Sequence, residues 1–193
     1  MSDLTRFRAD DTEAEAIERV ELIRPHKPAR YTLAFDQSLS DTGVVFLIGS
    51  RIAHTENIRI EKKAEFQGKD FLERAVELKD AVRVLVMDYR PDVVVIESPP
   101  MGRSGHLKSS ESSLMAATAI RLAISDTPLM VVSAKRAKKR LTGNGNAKKP
   151  LVRKAVLDML VRLGMDKPKP FNEAVADALA VGWTACEDEV RDV

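Results

Sequence analysis

Four acidic residues stand where chemistry would need them. Asp36 closes the apolar run Tyr31-Thr32-Leu33-Ala34-Phe35, and Glu97 closes Val93-Val94-Val95-Ile96. Glu173 and Asp177 lie four residues apart in Asn172-Glu173-Ala174-Val175-Ala176-Asp177. A carboxylate ending a β-branched run arrives at the carboxyl edge of a sheet, where open α/β folds place their sites. Residues i and i+4 share one helix face, so Glu173 and Asp177 point the same way. Carboxylates that crowd together stay ionised only when a cation offsets their repulsion. The donors are oxygens and the three histidines (His26, His54, His106) are scattered, so the ion expected is Mg2+, with Mn2+ as substitute, and not zinc. Two such ions about 4 Å apart activate a water and stabilise the leaving oxygen of a phosphodiester. Metal-dependent cutting of a nucleic-acid backbone is the chemistry expected.

The plainer alternative makes each acid a cap or a surface charge. Asp36 with Ser38, Ser40, Asp41 and Thr42 has the composition of a simple turn. Glu97 resists that reading, because an unpaired acid closing a Val/Ile run is costly to bury. Around Asp177 the helix is largely apolar (Ala174, Val175, Ala176, Ala178, Leu179, Ala180), which argues against a solvated face.

The elements that must position these acids can be read from periodicity. Tyr31 to Asp36 reads as a strand, Gln37 to Thr42 as a polar turn, and Gly43 to Ile48 as a second strand. Gly49-Ser50 is a hairpin turn, and Arg51 to Ile60 is a third strand. From Lys69 to Met87, Phe71, Leu72, Ala75, Leu78, Val82, Leu85 and Val86 recur at helical spacing. Val93 to Glu97 is the fourth strand, and Pro99 to Lys108 is a loop. Helix follows from Ser110 to Ile124, then a short strand from Leu129 to Ser133. Three more helices span Lys135 to Leu141, Pro150 to Leu163 and Asn172 to Ala185. Three meandering strands followed by alternating helices and strands make an α/β fold: a mixed five-stranded sheet flanked by helices, in which a three-strand antiparallel meander is joined by parallel strands. Residues 1–30 are expected to be a flexible charged arm, 31–187 the folded domain and 188–193 a C-terminal tail.

Composition narrows the class. A chain of 193 residues suits one domain with a sizeable core. Its 44% apolar and 31% charged content is that of a globular protein and argues against general disorder. A lone cysteine, Cys186, excludes an intrachain disulfide and fits a reducing cytoplasm, bacterial or that of a host cell. No apolar run approaches the ~20 residues of a membrane span, and the start lacks a signal core, so neither membrane association nor export is expected. Cys186 has no basic sequence neighbour that would make it a nucleophile, and Trp183 is expected to pack within its helix.

The net charge of +2 hides segregation. Lys135, Arg136, Lys138, Lys139, Arg140, Lys148, Lys149, Arg153 and Lys154 fall in a span without one acid, which makes a footprint for phosphates. A merely solvated helix face is the alternative. Gly143 and Gly145 would let the intervening turn approach a DNA backbone. In the loop after Glu97, Met101 would wedge against bases at a branch point while Arg103, His106 and Lys108 meet phosphates. The small-residue helix from Ser110 to Ile124 would pack on its own copy across a two-fold axis, or simply on the sheet.

Three stretches carry a family resemblance: Asp36-Gln37-Ser38-Leu39-Ser40-Asp41-Thr42-Gly43, Pro91-Asp92-Val93-Val94-Val95-Ile96-Glu97 and Ala176-Asp177-Ala178-Leu179-Ala180. They resemble the RuvC-type Holliday-junction resolvases, nucleases of the ribonuclease H-like superfamily. The segment from Val132-Ser133-Ala134-Lys135 to Ala147-Lys148-Lys149 resembles the basic stretch those enzymes carry before their last acidic helix. The similarity spans about Tyr31 to Cys186. It implies a ribonuclease H-like fold and a homodimer that cuts four-way DNA junctions in a Mg2+-dependent manner, one symmetric nick per subunit. Asp36, Glu97 and Asp177 fall on the family's metal-binding carboxylates. Two positions depart from the pattern. Gln37-Ser38 follow Asp36 where the family has Pro-Gly, and Ala174 stands where the family commonly has a fourth ligand, Asp or His. Glu173 is the substitute the resemblance implies, with Asn172 a weaker one.

Two other functions fit the same residues: a broader branched-DNA nuclease that cuts flaps and forks, and a non-catalytic nucleic-acid-binding member of the superfamily. The four acids argue against the second. A sugar-kinase-like phosphotransferase needs a duplicated domain for which the chain is too short.

Overall fold

The computed structural model describes residues 30–61, 67–99 and 107–191. The expected arm, apart from Arg30, and loop residues Met101, Arg103 and His106 lie outside the described residues, as does the side chain of Lys108. In chain order the elements are β1 (Tyr31–Asp36), β2 (Asp41–Ile48), β3 (Arg51–Arg59), α1 (Gln67–Tyr89), β4 (Val93–Glu97), α2 (Leu107–Ala123), β5 (Leu129–Val132), α3 (Ala134–Thr142), α4 (Lys149–Arg162) and α5 (Glu173–Arg191). The five strands form one sheet in the order β3-β2-β1-β4-β5. β2 pairs antiparallel with β1 and β3, whereas β1–β4 and β4–β5 are parallel. This is the mixed sheet expected, with the two acid-bearing strands as central neighbours.

Strand alternation assigns each acid to a side. Leu33 and Phe35 of β1 and Val94 and Ile96 of β4 pack with Leu78 and Val82 of α1 and Ile120 of α2. Ala34 of β1 and Val93 and Val95 of β4 pack on the opposite side with Ala180, Val181 and Ala185 of α5. Asp36 and Glu97 come two residues after Ala34 and Val95, so both belong to the α5 side.

A glycine brings α5 close. A Cβ built on Gly43 of β2 would lie 2.2 Å from both the carbonyl carbon and the oxygen of Ala174, a distance no side chain tolerates. We expect Gly43→Ala to push α5 off the sheet and to cost about 1–3 kcal/mol, the usual penalty of overpacking. Urea denaturation measures this, and an unchanged midpoint would contradict the close approach.

Several boundaries differ from the sequence reading. β2 starts at Asp41 because the polar Ser-Asp-Thr stretch pairs with β3, Asp41 opposite Arg59 and Thr42 opposite Ile58. α5 is helical to Arg191, so the tail expected from residue 188 is largely a continuation of that helix. Asn172 is the N-cap of α5: its Oδ1 accepts from the Val175 N–H at 2.9 Å, and its Nδ2 donates to Asn57 Oδ1 at 2.9 Å. α3 is capped by Ser133, whose Oγ accepts from the Arg136 N–H, and it ends on Gly143 at φ 75°, a left-handed position that glycine adopts without strain. Trp183 is buried and donates from Nε1 to the Ser50 carbonyl at 2.9 Å. Among the described residues no helix is long and apolar enough to cross a membrane.

Candidate active site

At the carboxyl ends of β1 and β4 the sheet opens into a cavity of about 380 Å³. Asp36 and Glu97 reach it from the strands, Asp177 from α5, Lys138 from α3 and Lys149 from the start of α4. Three segments far apart in sequence thus deliver carboxylates to one place. Glu173 does not line the cavity. Its carboxylate is paired with Lys149, although both side chains are more than half exposed (58% and 66%). A pair that exposed contributes little stability and is readily parted. Among the described residues no three His, Cys, Asp or Glu side chains close up enough to hold an ion as they stand. The acids therefore share a cavity without forming a finished cage, since Glu173 is held by Lys149 and like charges repel.

Burial is the main force on these acids. It pushes the Asp36 carboxyl up to about 8, with the charges of Asp177 and Glu97 adding to the effect and Lys149 opposing it. Glu97 is raised by burial and then by Asp177, against the pull of Lys138 and Lys149. Asp177 is raised by burial, with Lys149 opposing, Glu173 adding and Lys138 opposing. The hydrogen bond to Glu173 raises Lys149 above the usual lysine range. Because Asp36 moves from 3.8 to about 8, the folded chain holds a proton there that the unfolded chain has released. Stability is therefore present below the unfolded value and lost as pH climbs through that window, at up to about 1.4 kcal/mol per pH unit. In chelator, thermal melts are expected to fall from pH 5 to pH 8; a rising or flat profile would contradict the burial of Asp36 among like charges.

The model of the family described as crossover junction endodeoxyribonuclease RuvC matches residues 42–185. The chain belongs to this family. Crossover junction endodeoxyribonuclease RuvC of Citrifermentans bemidjiense is 24% identical over 139 residues, covering 72% of this chain and 80% of that protein. The Thermus thermophilus RuvC structure superposes with a TM-score of 0.66 at 21% identity, over 83% of this chain and 96% of the other. T. thermophilus RuvC in complex with Holliday junction substrate gives the same TM-score of 0.66 at 22% identity, over 84% and 96%. The fold is thus that of RuvC, which is ribonuclease H-like, and the chain is a member of a nuclease family.

Within this RuvC fold the expected cations divide. Lys138 and Lys149 sit at the acid cavity, whereas Lys135, Arg136, Lys139, Arg140 and Lys148 are exposed on α3 and the turn after it. Gln37 was not anticipated. Only 5% exposed, it donates from Nε2 to the Glu97 carbonyl at 2.6 Å and accepts at Oε1 from the Glu97 N–H at 3.1 Å. Arg74 of α1 was also missed: it donates to Ser40 Oγ at 2.6 Å and to Asp70 Oδ2 at 2.5 Å, fastening the β1–β2 turn from below. The i,i+4 spacing of Asp70 and Arg74 carried a signal for this pair; a lone Gln after a strand carries none.

Proposed function

We propose that the chain is a Mg2+-dependent, structure-selective DNA endonuclease that resolves four-way (Holliday) junctions by paired symmetric nicks, in the service of DNA recombination and repair. The observation that supports it most is the convergence of Asp36, Glu97 and Asp177 on one cavity flanked by Lys138 and Lys149. The donor set fits a hard divalent cation: every donor is a carboxylate oxygen, and the burial and carboxylate crowding that lift Asp36 to about 8 are what a cation offsets. Asp36, Glu97 and Asp177 would hold Mg2+ or Mn2+, joined by Glu173 once Lys149 lets go of it. When bound, such ions supply an activated water and charge stabilisation for the leaving oxygen.

The chain's own cations have a separate task. Lys138 and Lys149 hold the scissile phosphodiester over the acids, while Lys135, Arg136, Lys139, Arg140 and Lys148 bind flanking phosphates without reading sequence. Met101 and Arg103 remain proposed DNA contacts from the stretch that follows Glu97 in sequence. A homodimer is favoured by apolar side chains left exposed on the adjacent helices α1 and α2. Leu72, Val76 and Met87 are 61, 54 and 66% exposed, and Leu114 and Leu122 are 55 and 69%. A second copy covering that face would present two acid cavities to one junction. The single cysteine supports a cytoplasmic setting.

The test is a panel of labelled four-way junction, fork, flap, RNA–DNA hybrid and linear duplex, each with Mg2+ or with chelator. Nicks at two symmetry-related positions of the junction, in Mg2+ only, are expected. Equal cutting of every branched form would replace the resolvase with a broader debranching nuclease. Cutting that persists in chelator would overturn the metal-dependent reading.

A further inference from the structure

We propose that Gln37 is a positioning residue: its side-chain amide clamps the Glu97 peptide and so sets how Asp36 and Glu97 face one another. This rests on the metal-dependent function proposed above and adds a residue to that site. The parallel β1–β4 ladder runs from Thr32 opposite Val93 to Phe35 opposite Ile96 and goes no further. Just beyond it come Asp36 and Glu97, the acids that close the two strands. There the Gln37 side chain continues the ladder in place of the backbone. A carboxamide offers one acceptor and one donor edge, as a peptide does. Both are used on one residue, at 2.6 Å to the Glu97 carbonyl and 3.1 Å from its N–H. With Gln37 only 5% exposed, these bonds are largely shielded from solvent.

The far side of Glu97 is also tied. The next N–H, of Ser98, donates to the Val132 carbonyl of β5 at 2.8 Å. Gln37 is itself held by a turn in which Thr42 Oγ1 accepts from the Ser38 N–H at 3.1 Å and donates to the Ser38 carbonyl at 2.6 Å. Arg74 braces the same turn through Ser40. The Glu97 backbone is therefore gripped from both neighbouring strands, and the carboxylate it carries starts from a fixed point. Orienting groups behind metal ligands typically matter 10- to 100-fold in metal affinity or activity.

Gln37→Met keeps the length of the side chain and removes both bonds. Three readouts separate positioning from general stability: Mn2+ affinity of the protein alone by electron paramagnetic resonance, exchange protection of the Glu97 amide by NMR, and turnover set against junction affinity in chelator. The variant is expected to lose about 10- to 100-fold in Mn2+ affinity and in turnover, to expose the Glu97 amide to exchange, and to bind junctions within about twofold of wild type. Val156→Ala, a truncation in the core between α4 and α5, is the control: it lowers stability but leaves Mn2+ affinity unchanged. If Gln37→Met does not fold, Gln37→Asn, which keeps the amide one methylene short, is expected to show the same losses. A variant equal to wild type in Mn2+ affinity and amide protection overturns the inference alone. A wild-type chain that neither binds Mn2+ nor cuts junctions overturns the functional reading, and the inference falls with it.

Discussion

Asp36→Asn is expected to abolish cutting while four-way junctions still bind. The substitution removes a carboxylate from the acid cavity and leaves Lys138, Lys149 and the exposed cations of α3 untouched. Loss of one such electrostatic element costs on the order of 10²- to 10³-fold in turnover, and loss of the metal ligand proposed for Asp36 belongs at the upper end or beyond. A second effect runs the other way. Asp36 is held up to about 8 by burial and by Asp177 and Glu97, so its ionised form burdens the fold. The neutral amide removes that burden. In chelator at pH 8 the variant is expected to melt above wild type, and the difference shrinks toward pH 5, where Asp36 is protonated anyway. Single-turnover cleavage, gel-shift binding in chelator and paired melts at the two pH values measure this. Residual cutting near the wild-type rate, or a variant that melts lower at pH 8, would contradict the account.

Lys138→Ala with Lys139→Ala is expected to weaken junction binding and flatten its salt dependence. Each lost phosphate contact on duplex DNA removes about 0.9 from the slope of log affinity against log salt, so the pair removes up to about 1.8. Filter binding across a salt series gives the slope. The two single variants should differ in one respect. Lys138 lines the cavity and holds down the carboxyls of Glu97 and Asp177, whereas Lys139 is exposed outside it. Lys138→Ala should therefore move the pH–rate profile toward higher pH, because both acids become harder to ionise, and Lys139→Ala should leave the profile in place. An unchanged slope in the double variant would mean these lysines touch no phosphate.

The sheet was legible because its strands announce themselves by Val and Ile runs closed with an acid or a turn. β4 is the clearest case: Val93 to Ile96 are buried on both sides, and that burial is what made Glu97 conspicuous. Asp36 and Glu97 were legible for the same reason, since a charge at the end of an apolar strand demands a purpose, and Asp177 because it interrupts a largely apolar helix. Pairings between distant, ordinary-looking polar residues were not. Lys149 reads as one more cation in a basic span, and only the fold brings it to Glu173, 24 residues away. Asn172 has the chemistry of a ligand and of a cap, and the start of α5 uses it as a cap. Gln37 looks like part of a turn until β4 lies beside it. Gly43 showed no sign in sequence that a helix backbone crosses it, because a close approach leaves no periodic trace.

Acids from β1, β4 and α5 are proposed to hold divalent ions beside a scissile phosphate. Crystals of the protein with a four-way junction, grown in Mn2+ and measured at the manganese edge, test it directly. The expected result is an anomalous peak bonded to Asp36 and shared with Glu97 or Asp177, next to a backbone phosphate. Manganese found elsewhere, with these carboxylates bonded only to protein, would contradict it.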